Sequence, residues 1–246
     1  MSDQKKIIVI NVIDHPEWDV VSHWQDSLKR AGLKSDDFVF VDFYLDPSLL
    51  DGVVLSEFEK VIITGSVASP LESKEWIKAL KGVVKELLDL KIPTLAVCFG
   101  HQFVARVIGG RVEKFEGARR CGNELARLTK SGSQSALFSG LPEEFEVLES
   151  FGFEVLDLPD DAEVLAKSEK TGIYAFQYKN LYCTQFHPEL RAQIVRDWFA
   201  NSKLEQFHED APLPDLDKSA YENWLKEKVK ETPMAQQIIN SFVKDV

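Results

Sequence analysis

Leu95-Ala-Val-Cys98-Phe-Gly100-His-Gln102 carries a short apolar run into a helical one, with a single thiol at the junction. Thr94 to Val97 follows Lys91-Ile-Pro93 and has no polar alternation beyond its first residue, so it reads as a strand buried on both faces. Gly100 to Ile108 has helical spacing until Gly109 and Gly110 stop it. Cys98 therefore sits where a strand hands over to a helix, the local form of a βα unit, and the fold class follows as α/β.

Working outward, the same alternation recurs. Lys6 to Ile13, Phe38 to Phe43 and Lys60 to Thr64 are β-branched runs, with helical spacing between the first two over Trp18 to Ala31. From Ser73 to Leu90, Trp76, Leu80, Val83, Val84, Leu87 and Leu88 fall three and four apart, which predicts a helix with one apolar stripe. A parallel sheet with helices on both faces accommodates this order. Downstream, Arg111 to Phe115, Leu125 to Thr129, Phe145 to Leu148, Glu163 to Ala166, Tyr174 to Tyr178 and Leu181 to Gln185 are short strand-like runs, expected as an antiparallel elaboration of the same sheet. After Trp198 and Phe199 the chain passes the Pro-containing stretch Ala211 to Leu216. It then resumes helical spacing, with Tyr221, Trp224, Leu225 and Val229 on one face and Ile238, Ile239, Phe242 and Val243 on another. The expected division is a domain over residues 1–200 and a C-terminal helical extension over 201–246.

Composition narrows the function classes. The 246 residues are 44% hydrophobic and 28% charged, enough apolar material for a closed core. A formal net charge of -11 argues against a nucleic-acid surface, which needs a local excess of Lys and Arg. Ile7 to Ile13 falls far short of the roughly 20 residues of a membrane helix, and Asp14, His15 and Glu17 follow it instead of a cleavage site. A cytoplasmic address is expected. Cys98, Cys121 and Cys183 are an odd number without CxxC spacing, so neither disulfides nor a thiolate metal site is expected. His15, His23 and His208 lack the neighbouring ligands a metal would need, and no cofactor is called for.

The chemistry concentrates at Cys98. A sharp turn between small neighbours pushes a nucleophile out of the backbone, and the helix that follows offers N–H donors and a positive dipole end that favour thiolate. The matching base is in Gln185-Phe-His187-Pro-Glu189, directly after a strand, with Glu189 spaced to orient the imidazole. Cys183 reads as strand core, and Cys121 as an incidental thiol.

Together, Cys98-Phe-Gly-His-Gln102 and Phe186-His187-Pro188-Glu189 resemble the two signatures of class I glutamine amidotransferase domains. Ile63-Thr-Gly65-Ser66, the acidic segment with Trp76, and Ala175-Phe-Gln-Tyr178 resemble standalone relatives of the glutaminase half of GMP synthetase, a form shared by plant γ-glutamyl peptidases. The resemblance covers about Lys5 to Phe199. It implies a flavodoxin-like three-layer α/β/α sandwich and a hydrolase that cleaves a γ-glutamyl amide bond, in glutamine or a γ-glutamyl compound, through a Cys98 thioester with His187 and Glu189 completing a triad. It also implies an oxyanion hole from backbone N–H groups at Gly65, Ser66 and Phe99, and substrate contact by Gln102. The alternatives are a glutaminase subunit that supplies ammonia to a separate synthetase, and a catalytically silent interaction protein on the same fold. A small-molecule substrate is expected, with the C-terminal helices available to a synthetase or a second copy of the chain.

Three departures from the family pattern stand out. Ala96 replaces a common Gly two residues before the nucleophile. Phe151 and Phe153, in Glu149-Ser150-Phe151-Gly152-Phe153-Glu154, replace a usual His and Asp, which implies a more apolar substrate rim. Gly117-Ala-Arg119-Arg120-Cys121-Gly122 replaces an aromatic and a Glu-Leu-Gly step, leaving Arg119 and Arg120 either to meet a substrate carboxylate or to sit in a solvated loop.

Overall fold

The computed structural model describes residues 7–15, 20–116, 119–201 and 218–246. Its first strand, β1 (Ile7–Asn11), is buried throughout. Because strand side chains alternate, Ile7 and Val9 enter one apolar cluster while Ile8 and Ile10 enter another. These clusters are the two sides of the sheet. On the first lie Trp24 and Leu28 of α1 (Val20–Arg30), and beside β1 runs the parallel strand β2 (Phe38–Asp42). On the other side of β1, also parallel, is β3 (Lys60–Ile63).

The helix α2 (Glu75–Leu90) buries Trp76, Ile77, Leu80, Val84 and Leu87 against the second face. It ends because Lys91 turns into the left-handed region (φ 56°), after which Pro93 cannot continue a helix. The chain then enters β4 (Thr94–Val97), buried at all four residues, and α3 (Phe99–Val107), one residue inside the expected end.

Then follow β5 (Arg111–Lys114), β6 (Arg120–Leu128), the short α4 (Lys130–Gln134), β7 (Glu144–Phe151), β8 (Phe153–Asp157), β9 (Glu163–Lys167), β10 (Ala175–Tyr178) and β11 (Leu181–Thr184). The nine-stranded sheet has the order β2-β1-β3-β4-β11-β10-β9-β6-β7. From β2 to β11 neighbours are parallel, and from β11 to β7 they are antiparallel. One expectation needs correction. Arg111 to Phe115 does not extend this sheet, because β5 pairs only with β8 in a separate two-stranded ribbon. Glycine and charge at Gly152 and Glu154 hid β8 from a reading by alternation.

The C-terminal half closes with α5 (Ala192–Asn201), α6 (Lys218–Lys228) and α7 (Gln236–Lys244). Ala211 to Leu216 lies outside the described residues. The helix α7 is part of the first apolar layer. Ile238, Ile239 and Phe242 are fully buried with Trp24 and Leu28, and the Gln236 amide and the Ser27 hydroxyl and carbonyl exchange hydrogen bonds of 3.0 Å. Lys60 Nζ donates to the Val243 carbonyl at 2.6 Å. On the other edge, α6 lays Tyr221, Trp224 and Leu225 over Cys121, Leu148, Leu190 and Val195. Gly122, at φ +117°, admits this approach: a Cβ there would stand 3.0 Å from the Lys228 carbonyl oxygen. Asn123 then clasps Lys230, its Oδ1 accepting from the Lys230 N–H at 2.7 Å and its Nδ2 donating to the Lys230 carbonyl at 3.2 Å.

Truncating a fully buried aromatic removes its transfer free energy and leaves a cavity, about 3–5 kcal/mol together. Phe242→Ala is expected to lower unfolding stability by about that amount in urea titrations. A loss under about 1 kcal/mol would mean that α7 does not complete the core.

Candidate active site

The carboxyl ends of β3, β4 and β11 lie side by side, and in a sheet of this kind that edge is where ligands bind. Cys98 caps β4 with φ 53° and ψ −102°, a strained conformation for a residue with a Cβ. Two contacts impose it. The Cys98 N–H donates to the Thr184 carbonyl of β11 at 2.8 Å, continuing the parallel ladder one residue past the strand. Gly100 brings α3 so close to the sheet that a Cβ there would lie 3.0 Å from the Ile63 carbonyl oxygen and 3.2 Å from the Ala96 methyl. Ala96 thus fits, because the position facing it is glycine. Phe99 anchors the start of α3, its ring 5.3 Å from Trp76 and 5.7 Å from Phe103.

Across from Cys98 stands the loop after β3. Thr64 Oγ1 accepts from the Val12 N–H at 3.0 Å and lies 3.3 Å from Asn11 Oδ1, while Ser66 Oγ accepts from Ala68 N–H at 3.2 Å. These bonds hold Gly65 over the nucleophile. A Cβ on Gly65 would stand 3.0 Å from His187 Cε1, 3.3 Å from Cys98 Cβ and 3.8 Å from Cys98 Sγ. Loop, thiol and imidazole therefore meet around one Cα that bears no side chain. No acceptor among the described residues takes the N–H of Ser66 or Phe99.

His187 reaches this point by a set of backbone bonds. Gln185 N–H donates to the Tyr174 carbonyl at 2.9 Å and His187 N–H to the Leu148 carbonyl at 2.8 Å. Nδ1 lies 2.8 Å from Glu189 Oε1. Burial alone would lower the imidazole pKa, but Glu189 and Cys98 outweigh it and raise the value to about 10. The imidazolium is then the resting form at neutral pH. Cys98, His187 and Glu189 are 3%, 7% and 4% exposed, so the group is screened from bulk water and its charges interact strongly.

The other expected residues divide. Gln102 is buried, and its Nε2 donates to the Phe153 carbonyl at 2.7 Å and to Gln185 Oε1 at 3.2 Å, so its amide ties α3 to the start of β8. Phe153 is half-buried, whereas Phe151 is 1% exposed in the core that also holds Cys98 and Phe186. Phe151 therefore supplies no rim surface. His101 packs on Phe176 at 5.0 Å, and burial lowers its pKa to about 3 although Gln185 opposes the shift. It stays neutral and turned away from chemistry. Cys183 is fully buried, and Cys121, in β6, lies under α6 with its thiol pKa pushed up by burial. Gly117, Ala118 and His208 fall outside the described residues. Among those described, no three His, Cys, Asp or Glu side chains converge to hold a metal ion.

Sequence reasoning missed the buried network next to the site. Glu149 Oε2 accepts from the Tyr174 hydroxyl at 2.6 Å, and Oε1 accepts from Arg120 Nε at 2.8 Å. Arg120 also meets Glu124 at 2.6 Å. Burial lifts the Glu149 carboxyl above its usual range, and Arg120 and Tyr174 oppose that pull without cancelling it. Arg120 is thus neither a solvated loop residue nor available to substrate. In the structure Val147 to Phe151 has no exposed position, so β7 is covered on both faces there and Glu149 is drawn into the interior.

The profile of the family described as glutamine amidotransferase class-I matches residues 23–202. The chain belongs to that family. It is 30% identical over 146 residues to γ-glutamyl peptidase 4 of Arabidopsis thaliana, covering 58% of each chain. It is 39% identical over 113 residues to a subunit of the glutamine-hydrolysing GMP synthase of Methanosphaera stadtmanae, covering 45% of this chain and 59% of that one. In both cases the match spans less than two thirds of the relative's length. In structure, a glutamine amidotransferase from Thermotoga maritima superimposes with a TM-score of 0.75 at 20% identity, covering 98% of this chain and 97% of that one. The amidotransferase fold is therefore the flavodoxin-like α/β/α sandwich, with helices at its C-terminus.

The charge state of His187 can be measured. With a folded pKa of about 10 against 6.5 for the free side chain, the stability it contributes is complete below pH 6.5 and is lost as pH rises through 10. Imidazole NMR shifts of this residue are expected to stay in the protonated range up to about pH 8. Titration near 6.5 would show that Glu189 and Cys98 do not hold the proton.

Proposed function

We propose that this protein hydrolyses a γ-glutamyl amide bond through a thioester on Cys98. The meeting of the Cys98 thiol and the His187 imidazole around Gly65 carries this reading. The Cys98 thiolate attacks the γ-carbonyl carbon, and the C=O electron pair moves to oxygen, where the Ser66 and Phe99 N–H groups stabilise the oxyanion. Collapse re-forms the C=O and breaks the C–N bond while the His187 imidazolium gives its proton to the departing amine. Water then attacks the thioester, its proton passing to His187, and the second collapse expels the thiolate and releases the γ-carboxylate. Glu189 keeps the ring oriented and favours its protonated form throughout. The φ of Cys98 supports the reading, since strain at a nucleophile persists only where neighbours enforce it.

Similarity to the Methanosphaera protein favours a second reading, in which the same hydrolysis supplies ammonia to a separate synthetase. The chemistry at Cys98 is common to both.

Glutamate release from glutamine and from γ-glutamyl dipeptides separates them. Release from dipeptides by the isolated chain supports the peptidase form, and release from glutamine alone supports the ammonia-supplying form. Cys98→Ala is expected to abolish either, and His187→Ala to lower the rate by about 10²–10⁴-fold. Gly65→Ala, by displacing His187 from the thiol, is expected to cost about a hundredfold in kcat with the fold intact by circular dichroism. A γ-glutamyl diazoketone that labels Cys121 or Cys183 in place of Cys98 would sink the assignment.

A further inference from the structure

Beside Cys98 stands a cation that the hydrolytic steps do not use. Arg119 precedes β6 and is half-buried, with Nε 3.4 Å from Ser150 Oγ and Nη2 3.3 Å from the Ser150 carbonyl oxygen. The Cys98 thiol lies 3.6 Å from that same carbonyl oxygen. One backbone oxygen therefore separates guanidinium from nucleophile. Both Arg119 contacts are long and to neutral groups, and Nη1 makes no hydrogen bond with a described residue.

Arg120, one residue on, behaves in the opposite way and takes both nearby carboxylates, Glu149 and Glu124. No carboxylate among the described residues comes within ion-pair distance of Arg119, and the titratable groups that raise its pKa against burial are the Cys98 and Cys121 thiols. Burial lowers the Arg119 pKa, a cost that a neutral residue would avoid. A guanidinium kept beside a nucleophile, with a donor edge uncommitted, has the geometry to grip a planar carboxylate in two parallel bonds.

We propose that Arg119 is a substrate-binding residue whose guanidinium takes a carboxylate of the γ-glutamyl substrate while Cys98 attacks. This rests on the hydrolytic reading above and adds what the substrate must bear near the scissile bond. Such a compound has two candidate carboxylates, the α-carboxylate of its glutamyl part and that of an amino-acid leaving group. A γ-amide and a γ-amino acid differ only in the second.

Two measurements test this on the whole chain. The first needs no substrate: Cys98 is alkylated by iodoacetate and, separately, by iodoacetamide, the thiolate displacing iodide in each. Only the first reagent carries a carboxylate. Arg119→Met is expected to lower the iodoacetate-to-iodoacetamide rate ratio about tenfold, and Arg119→Lys to keep most of it. An unchanged ratio, including an equal slowing of both reagents, would mean that Arg119 serves only the thiolate, and overturns the proposal. The second measurement compares γ-glutamylglycine with γ-glutamylglycinamide. A rise in KM for both in Arg119→Met assigns the glutamyl α-carboxylate, and a rise for γ-glutamylglycine alone assigns the leaving group. No rise for either overturns the proposal. If the wild-type chain cleaves neither of these compounds nor glutamine, the hydrolytic reading fails, while the alkylation ratio still decides the role of Arg119.

Discussion

The turn at Cys98 is the constraint from which the site follows. A residue with a Cβ at φ 53° costs about 1–3 kcal/mol, and it holds only because its surroundings leave no relaxed alternative. The Thr184 carbonyl fixes the backbone N–H from one side, and the contact of Gly100 with Ile63 and Ala96 fixes the next helical turn from the other. β11 therefore does two things at once. It holds the nucleophile's backbone, and by ending at Thr184 it delivers His187 a few residues later. Register between β4 and β11 is thus also the register between nucleophile and base, and a slip of one residue would separate them.

A second layer of control is ionic. Three charged or strongly polar groups, Glu149, Arg120 and Tyr174, are buried where β6, β7 and the start of β10 come together. Their mutual bonds fix the backbone at Ser150, whose carbonyl faces both the thiol and Arg119. Replacing such a set by apolar residues is often neutral for stability, so its value here is positional.

The sequence was legible where a single element carried the signal. β4, Cys98 and α3 could be read because apolar residues end in a small-residue turn, and α2 because its stripe runs for several turns. Phe186-His187-Pro188-Glu189 was readable as a base with its carboxylate because those residues are adjacent in the chain. Partners brought together by strand register were not legible. Arg120 meets Glu149 only because β6 and β7 pair antiparallel with Arg120 opposite Phe151, and no local pattern encodes that. Phe151 looked like a rim residue because its family counterpart is polar, whereas the covered end of β7 makes it core. Likewise α7 has the spacing of any amphipathic helix, and nothing in that spacing says that its partner is α1.

The bond between Ser27 and Gln236 spans 209 residues, and it belongs to the layer that shields one face of the parallel strands. Closing a loop of that length brings no return until both ends are in place, so the contact must form late in folding. At synthesis rates of about 5–20 residues per second, the apolar side of α1 waits some ten to forty seconds for its cover. During that interval Trp24 and Leu28 have no α7 to bury them, and the nascent chain carries an uncovered apolar face that is open to aggregation.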